Sequence, residues 1–178
     1  MFKHILVDAA LYYNTYDDIR SVEVQQDSTL MLKNGLEATT YGSRAAVTVH
    51  LAPWWKMKTS HMYFRKTITA KSWSNDANKG LGEGNDPKHR IFVQSIMDIG
   101  EDWEIDLWAR YIDALPNANA PVPAYTAVDA RIEKKITDNI TVALLLLNIT
   151  EPWHPEFGSP LTRYQIGREV FGKLTVSL

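Results

Sequence analysis

The fold class that the sequence predicts is all-β: an antiparallel up-and-down meander of about eight strands, of the outer-membrane β-barrel type. Three observations predict it. Hydrophobicity alternates with a period of two while helical periodicity is nowhere sustained. The connections alternate between tight and long, and aromatic residues gather near the strand ends.

Taken in order, the strands fall at roughly 4–24, 36–51, 54–68, 88–98, 103–113, 124–135, 139–149 and 167–178. The first carries Tyr12, Tyr13 and Tyr16 towards its end. The second and third meet at Ala52-Pro53, with Trp54 and Trp55 at the turn. Ile99-Gly100-Glu101-Asp102 joins the fourth to the fifth. In the fifth, Trp103, Ile105, Leu107, Ala109 and Tyr111 alternate with Glu104, Asp106, Trp108 and Arg110. The sixth sets Thr126, Val128, Ala130 and Ile132 against Ala127, Asp129, Arg131 and Glu133, and Ile136-Thr137-Asp138 turns it into the seventh. The seventh holds the longest apolar run, Val142 to Leu147, six residues. The last alternates Val170, Gly172, Leu174, Val176 and Leu178 with Phe171, Lys173, Thr175 and Ser177. Long connections lie at 69–87, 114–123 and 150–166. Short turns at one end and long loops at the other form the layout of a membrane barrel.

At 178 residues the chain has the length of one domain, 1–178. It has 19 Lys plus Arg against 21 Asp plus Glu, a formal charge of −2, and no basic run that would mark a nucleic-acid partner. It has no Cys, which removes disulfides, thiolate metal sites and thiol nucleophiles. No apolar run approaches the ~20 residues of a spanning helix. The start, Met1-Phe2-Lys3-His4 before Ile5-Leu6-Val7 and Asp8, lacks the form of a secretory signal.

Alternation alone fits two arrangements. A membrane barrel turns its apolar face to lipid and its polar face to a lumen. A soluble eight-stranded barrel of lipocalin type, holding a small apolar ligand, does the reverse. The aromatic placement of Trp54, Trp55, Trp103, Tyr12, Tyr13, Tyr16, Tyr111 and Tyr125 favours interfacial girdles and hence the membrane. The discriminator is the direction of Ile105, Leu107, Val128, Ile132, Leu144 and Leu146. On the polar faces, Asp8, Glu104, Asp106, Asp129 and Glu133 nearly balance Arg44, Lys58, Arg90, Arg110, Arg131 and Lys173. Of these, Glu104, Asp106, Arg110, Asp129, Arg131 and Glu133 are expected to form a lumen ion-pair network.

A family resemblance rests on four stretches. Leu107 to Pro116 followed by Val122 to Arg131, and Asn148 to Gly158 leading into Arg168 to Leu178, resemble late strands of TonB-dependent outer-membrane receptors. Tyr12 to Arg20, and Asn34-Gly35 through Tyr41-Gly42, are similar to the strands before them. The resemblance implies the C-terminal barrel part of a receptor for siderophores or similar bulky ligands, a segment of a 22-stranded barrel. It implies a bacterial outer-membrane location, with outer-membrane lipid, the barrel-assembly machinery and the receptor's remaining strands and plug as partners. The plug, the TonB-engaging segment and the signal peptide are not in this sequence, so transport by this chain alone is not expected. Family strands usually finish in an aromatic residue, whereas this chain ends Val176-Ser177-Leu178. Eight strands also match the smallest barrels, so closure of the first strand on the last is a second expectation.

No residue pattern marks an enzyme or a cofactor. There is no Gly-x-Ser-x-Gly elbow, and Glu104 with Asp106 read as ion-pair partners of Arg110 and Arg131 rather than as glycosidase carboxylates. His50 and His61 sit on neighbouring strands without a third ligand, and His154-Pro155-Glu156 matches no ligand spacing, so no metal is expected. Gly80 to Asp86 lacks the ending of a phosphate-binding loop, and Asp76, Glu83 and Asp86 have no calcium-loop spacing. Asn148-Ile149-Thr150 is an incidental sequon. By loop position, Trp73, Asn75, Trp153 and Arg163 are the expected ligand contacts.

Overall fold

The computed structural model describes residues 4–76, 78, 80, 85–117, 121–161 and 163–177. No helix occurs among them. The strands are β1 (Ile5–Val24), β2 (Leu30–Ala52), β3 (Trp55–Ala70), β4 (His89–Ile99), β5 (Trp103–Ile112), β6 (Tyr125–Thr137), β7 (Ile140–Leu147), β8 (Trp153–His154), β9 (Ile166–Gly167) and β10 (Glu169–Val176). β1 to β7 and β10 form one antiparallel sheet in chain order, while β8 and β9 pair only with each other inside the last long connection. β2 starts at Leu30, before the expected residue 36, because Ser21 to Val24 pair with Lys33 to Leu30. Leu30-Met31-Leu32 carries no alternation to announce that extension.

Register gives one face a mainly apolar character and gathers the charges on the other, which is mixed. Ile105 stands opposite Ile132 and Ile132 opposite Leu144, so one face carries Ile105, Leu107, Val128, Ile132, Leu144 and Leu146. Leu107, Val142 and Leu144 are exposed there. Asp106 opposite Arg131 and Trp108 opposite Asp129 define the other face, where Asp106, Ala127, Asp129 and Ala143 are buried. Large apolar groups on the bare side and charges on the covered side are the reverse of a soluble barrel. The lipocalin-like alternative needs these side chains inside a closed barrel, and the described sheet is open.

The apolar face has a girdle at each end. Trp55 to Tyr63 and Trp103 to Tyr111 are nine residues each. That is about 27 Å of strand, or roughly 20 Å at a tilt of ~40°, close to the apolar band of outer-membrane barrels. At the loop end, Tyr13 pairs with Tyr41, and the Tyr41 and Tyr63 rings lie 6.5 Å apart. At the turn end, Trp54 stacks on Trp55, and Lys134 holds its Nζ 4.8 Å over the Trp103 ring. Three expected girdle members lie elsewhere. Tyr12 and Tyr16 face the polar side, opposite Gly42 and Ala38, and Tyr125 is buried on that side opposite Ile112. Their parity in the strand, not their nearness to its end, fixes their face.

The sheet does not close. Among the described residues no strand but β2 pairs with β1, and none but β7 with β10. The expected pairing of first and last strands is therefore corrected. An eight-stranded interior has room only for side chains, and the face to be enclosed carries Arg44, Lys56, Lys58, Arg90 and Lys173 along with the acidic network. Enclosing those cations would cost their hydration.

Candidate functional site

Polar chemistry gathers in three places. On the covered face of β5 and β6, the Arg131 guanidinium donates to Glu104, to Asp106 at 2.8 Å and to Glu133. Glu104 and Glu133 stand directly opposite each other, so Arg131 lies where two like charges would otherwise repel. One oxygen of each of Glu104 and Asp106 accepts from the same guanidinium nitrogen, Arg131 Nη1.

The second cluster lies nearer the loop end of the same face. Arg110 donates to Asp129 and, through Nη2, to Asn148 Oδ1 at 3.0 Å. Asn148 also sends its backbone N–H to Asp129 Oδ1 at 2.8 Å and its side-chain amide to the Gly167 carbonyl at 2.7 Å. Its φ of 54° is a conformation that Asn tolerates better than most residues, and it turns the chain out of β7. The segment that follows lies over the polar face. His154 is buried with its ring stacked 4.1 Å from that of Tyr125, and Glu156 accepts from the Tyr125 hydroxyl at 2.9 Å. Trp153 is exposed and packs beside Gly167, while Arg163 Nη1 donates to the Pro121 carbonyl at 2.6 Å.

The third cluster is at the tip of the β1–β2 hairpin. After β3 the chain returns to β1, where Asp76 forms an isolated antiparallel bridge with Glu23. Glu23 already pairs with Met31 of β2, so the returning segment caps the open side of β1. The Glu23 carboxylate accepts from Ser21, from Ser74 Oγ at 2.7 Å and from the Asn75 N–H. Asp76 Oδ2 accepts from the Val22 N–H at 2.7 Å. The Ser21 hydroxyl draws the Glu23 carboxyl below its ordinary range. Burial opposes this, Ser74 and Asn75 reinforce it, and Asp76 opposes it. Trp73 and Asn75 thus come to line one cleft of about 620 Å³, with Gln25, Gln26, Asp27, Thr29, Met31 and Lys33.

The four expected ligand contacts therefore divide. Trp73 and Asn75 share a cleft, whereas neither Trp153 nor Arg163 lines it. Glu23, Tyr125 and Asn148, which with Asp76 organise these clusters, do not stand out as site residues in the sequence. A lone carboxylate in the alternating run Ser21-Val22-Glu23-Val24, on the covered side, was the signal for Glu23. His50 and His61 fall on opposite faces. His50 lies opposite Lys56 and near His4, whereas His61 Nε2 meets His89 Nδ1 at 3.0 Å. No group of three metal-binding side chains occurs among the described residues. Glu83 and the run Leu81 to Gly84 lie outside the described residues.

No protein-family model matches the sequence. No curated protein matches it significantly either. Solved structures do match. The ferric-catecholate import receptor Fiu from Escherichia coli K12 aligns over 97% of this chain with a TM-score of 0.70 and 18% identity, using 25% of its own length. The siderophore receptor PiuA from Acinetobacter baumannii aligns over 97% with a TM-score of 0.74 and 16% identity, using 26% of its length. The copper transporter OprC aligns over 98% with a TM-score of 0.72 and 15% identity, using 29% of its length. The chain spans about a quarter of the length of these receptors. Its eight-stranded sheet has the fold of the barrel wall of TonB-dependent outer-membrane receptors.

Proposed function

We propose that this chain forms part of the barrel wall of an outer-membrane uptake receptor for siderophores or similar bulky ligands, and that it is not transport-competent alone. The observation that carries the reading is the bare apolar band bounded by Trp55 and Trp103 at one end and by Tyr13, Tyr41, Tyr63 and Tyr111 at the other. In this reading the band faces lipid and the face of Arg110 and Arg131 lines the lumen. The connections 69–87, 114–123 and 150–166 are extracellular, and Trp73, Asn75, Trp153 and Arg163 meet ligand from them. The edge of β1 below its capped tip and the open edge of β10 take the receptor's remaining strands, a plug fills the lumen, and the barrel-assembly machinery inserts the whole. The role is structural and ligand-gating, without catalysis.

The test is reconstitution of the full chain into vesicles whose lipids carry bromine at defined depths. Quenching of Trp55 and Trp103 by shallow bromines, each read from a variant with the other five tryptophans replaced by Phe, is expected. A monomer that stays in aqueous buffer and leaves both tryptophans unquenched would overturn the reading.

A further inference from the structure

The cleft at the β1–β2 tip has a chemistry of its own, and the geometry points to a neutral, hydroxyl-rich ligand, a saccharide, bound there against Trp73. The inference rests on the receptor reading above and names the class of ligand for its loop end. Its volume, about 620 Å³, falls within the range of small-molecule sites. Its floor is already satisfied, since the Glu23 carboxylate is taken up by Ser21, Ser74 and Asn75. Asp27 is likewise engaged, accepting at Oδ1 from the Thr29 N–H at 3.0 Å and the Thr29 hydroxyl at 2.6 Å. What the lining still offers is amide. The side chains of Gln25, Gln26 and Asn75 make no hydrogen bond among the described residues, and all three line the cleft.

An amide side chain presents donors and an acceptor together, as a sugar hydroxyl does. Carboxylates, in contrast, only accept, and ammonium groups only donate. A strongly anionic ligand entering here would approach Glu23 and Asp27, and a cationic one would meet Lys33 beside two carboxylates that already accept from Ser21, Ser74, Asn75 and Thr29. A neutral polyol meets no such opposition. Trp73 is half exposed and supplies a flat ring whose electron-rich face attracts the polarised C–H bonds of a sugar ring. The wall bearing that ring is fixed from below by the Glu23 carboxylate, so little ordering remains to be done when ligand arrives.

The experiment is calorimetry of the full chain refolded in detergent, with maltohexaose, cellohexaose and mannan as probes. Vesicles containing smooth lipopolysaccharide form a second arm and a ferric catecholate complex a third. Saturable binding of a neutral glycan, weakened at least tenfold in Trp73→Ala and in Gln25→Ala/Gln26→Ala with unchanged circular dichroism, is expected. A response to free oligosaccharide supports a soluble ligand, and a response confined to the lipopolysaccharide arm supports a glycan anchored in the membrane. Glycan binding that survives Trp73→Ala, or no glycan binding at all, overturns the inference. Trp73-dependent binding of the ferric complex alone overturns the ligand class and leaves the receptor reading intact. A chain that stays a folded monomer in aqueous buffer and does not enter vesicles removes both.

Discussion

Ser74 Oγ donates to Glu23 Oε1 across 2.7 Å, and that bond ties the connection after β3 to a strand two places away in the sheet. With the Asn75 N–H and the Ser21 hydroxyl on the same carboxylate, one side chain holds a whole segment in place. Removing its charge should release the segment without unfolding the sheet. In Glu23→Gln the amide of Asn75 is expected to exchange at least about tenfold faster, while amides of β5 and β6 are unchanged. Hydrogen exchange read by mass spectrometry checks this, and equal protection in the variant would show that the segment is held by other means.

The same clamp should respond to acid. The Glu23 carboxyl titrates lower in the folded chain than in an unfolded one, mainly through the Ser21 hydroxyl. Its contribution is therefore fully present above the ordinary glutamate pKa and is lost as the pH falls through the lower folded value. The protection factor of the Asn75 amide is expected to be flat from neutral pH down to the ordinary carboxylate range and to collapse below it. In Glu23→Gln that pH dependence should vanish.

Arg131 is the cation of a cluster that holds three carboxylates, Glu104, Asp106 and Glu133. In Arg131→Ala these face each other without it, and Asp106 has a side chain only 6% exposed. A loss of about 2 kcal/mol is expected, below the value for a fully buried pair because Arg131 retains contact with solvent. Neutralising the three acids in the same background with Glu104→Gln, Asp106→Asn and Glu133→Gln should restore more than half of it. Urea unfolding in detergent micelles measures both.

Leu107 lies midway between Trp103 and Tyr111 on the apolar face. If that face meets lipid, Leu107→Arg should destabilise insertion by roughly 2–4 kcal/mol, whereas Thr126→Arg at the loop-end border should cost about 1 or less. Reversible folding into bilayers gives the comparison. Equal costs at the two positions would remove lipid from that face.

Gly42 allows Tyr12 to lie across the polar face, with its hydroxyl donating to the Tyr63 carbonyl at 3.4 Å. A Cβ at this position would come within 2.6 Å of Tyr12 Cζ and overlap the backbone of β3. Gly42→Ala is expected to cost about 1–3 kcal/mol. Gly172 has open space beside it, so Gly172→Ala should stay within about 0.5 kcal/mol of the parent. Parallel unfolding curves of the two variants check the contrast.

Much of this was legible in the sequence, because in a sheet local pattern and global face are one property. The alternation of Trp103 to Tyr111 specifies strand, face and girdle at once. The opposite signs of Asp106 and Arg131 indicate pairing before any register is known. The girdle assignments of Tyr12, Tyr16 and Tyr125 failed for a definite reason: a residue's distance from a strand end says nothing about its parity against the neighbouring strand. The relation of His50 to His61 was illegible for the same reason: the sequence puts them on neighbouring strands, and only the register Ala45 opposite His61 and His50 opposite Lys56 separates their faces.

By itself, the sequence determined the eight-stranded meander, its tight turns and its two unlike faces, because each follows from residues a few positions apart. The tertiary structure alone decided that the sheet stays open, that Asp76 returns to cap β1, and that Asn148 joins Arg110 to Asp129. The last two depend on contacts between residues 19 to 53 positions apart. Alternation places each such group on a face but carries no information about which distant loop will fold over it.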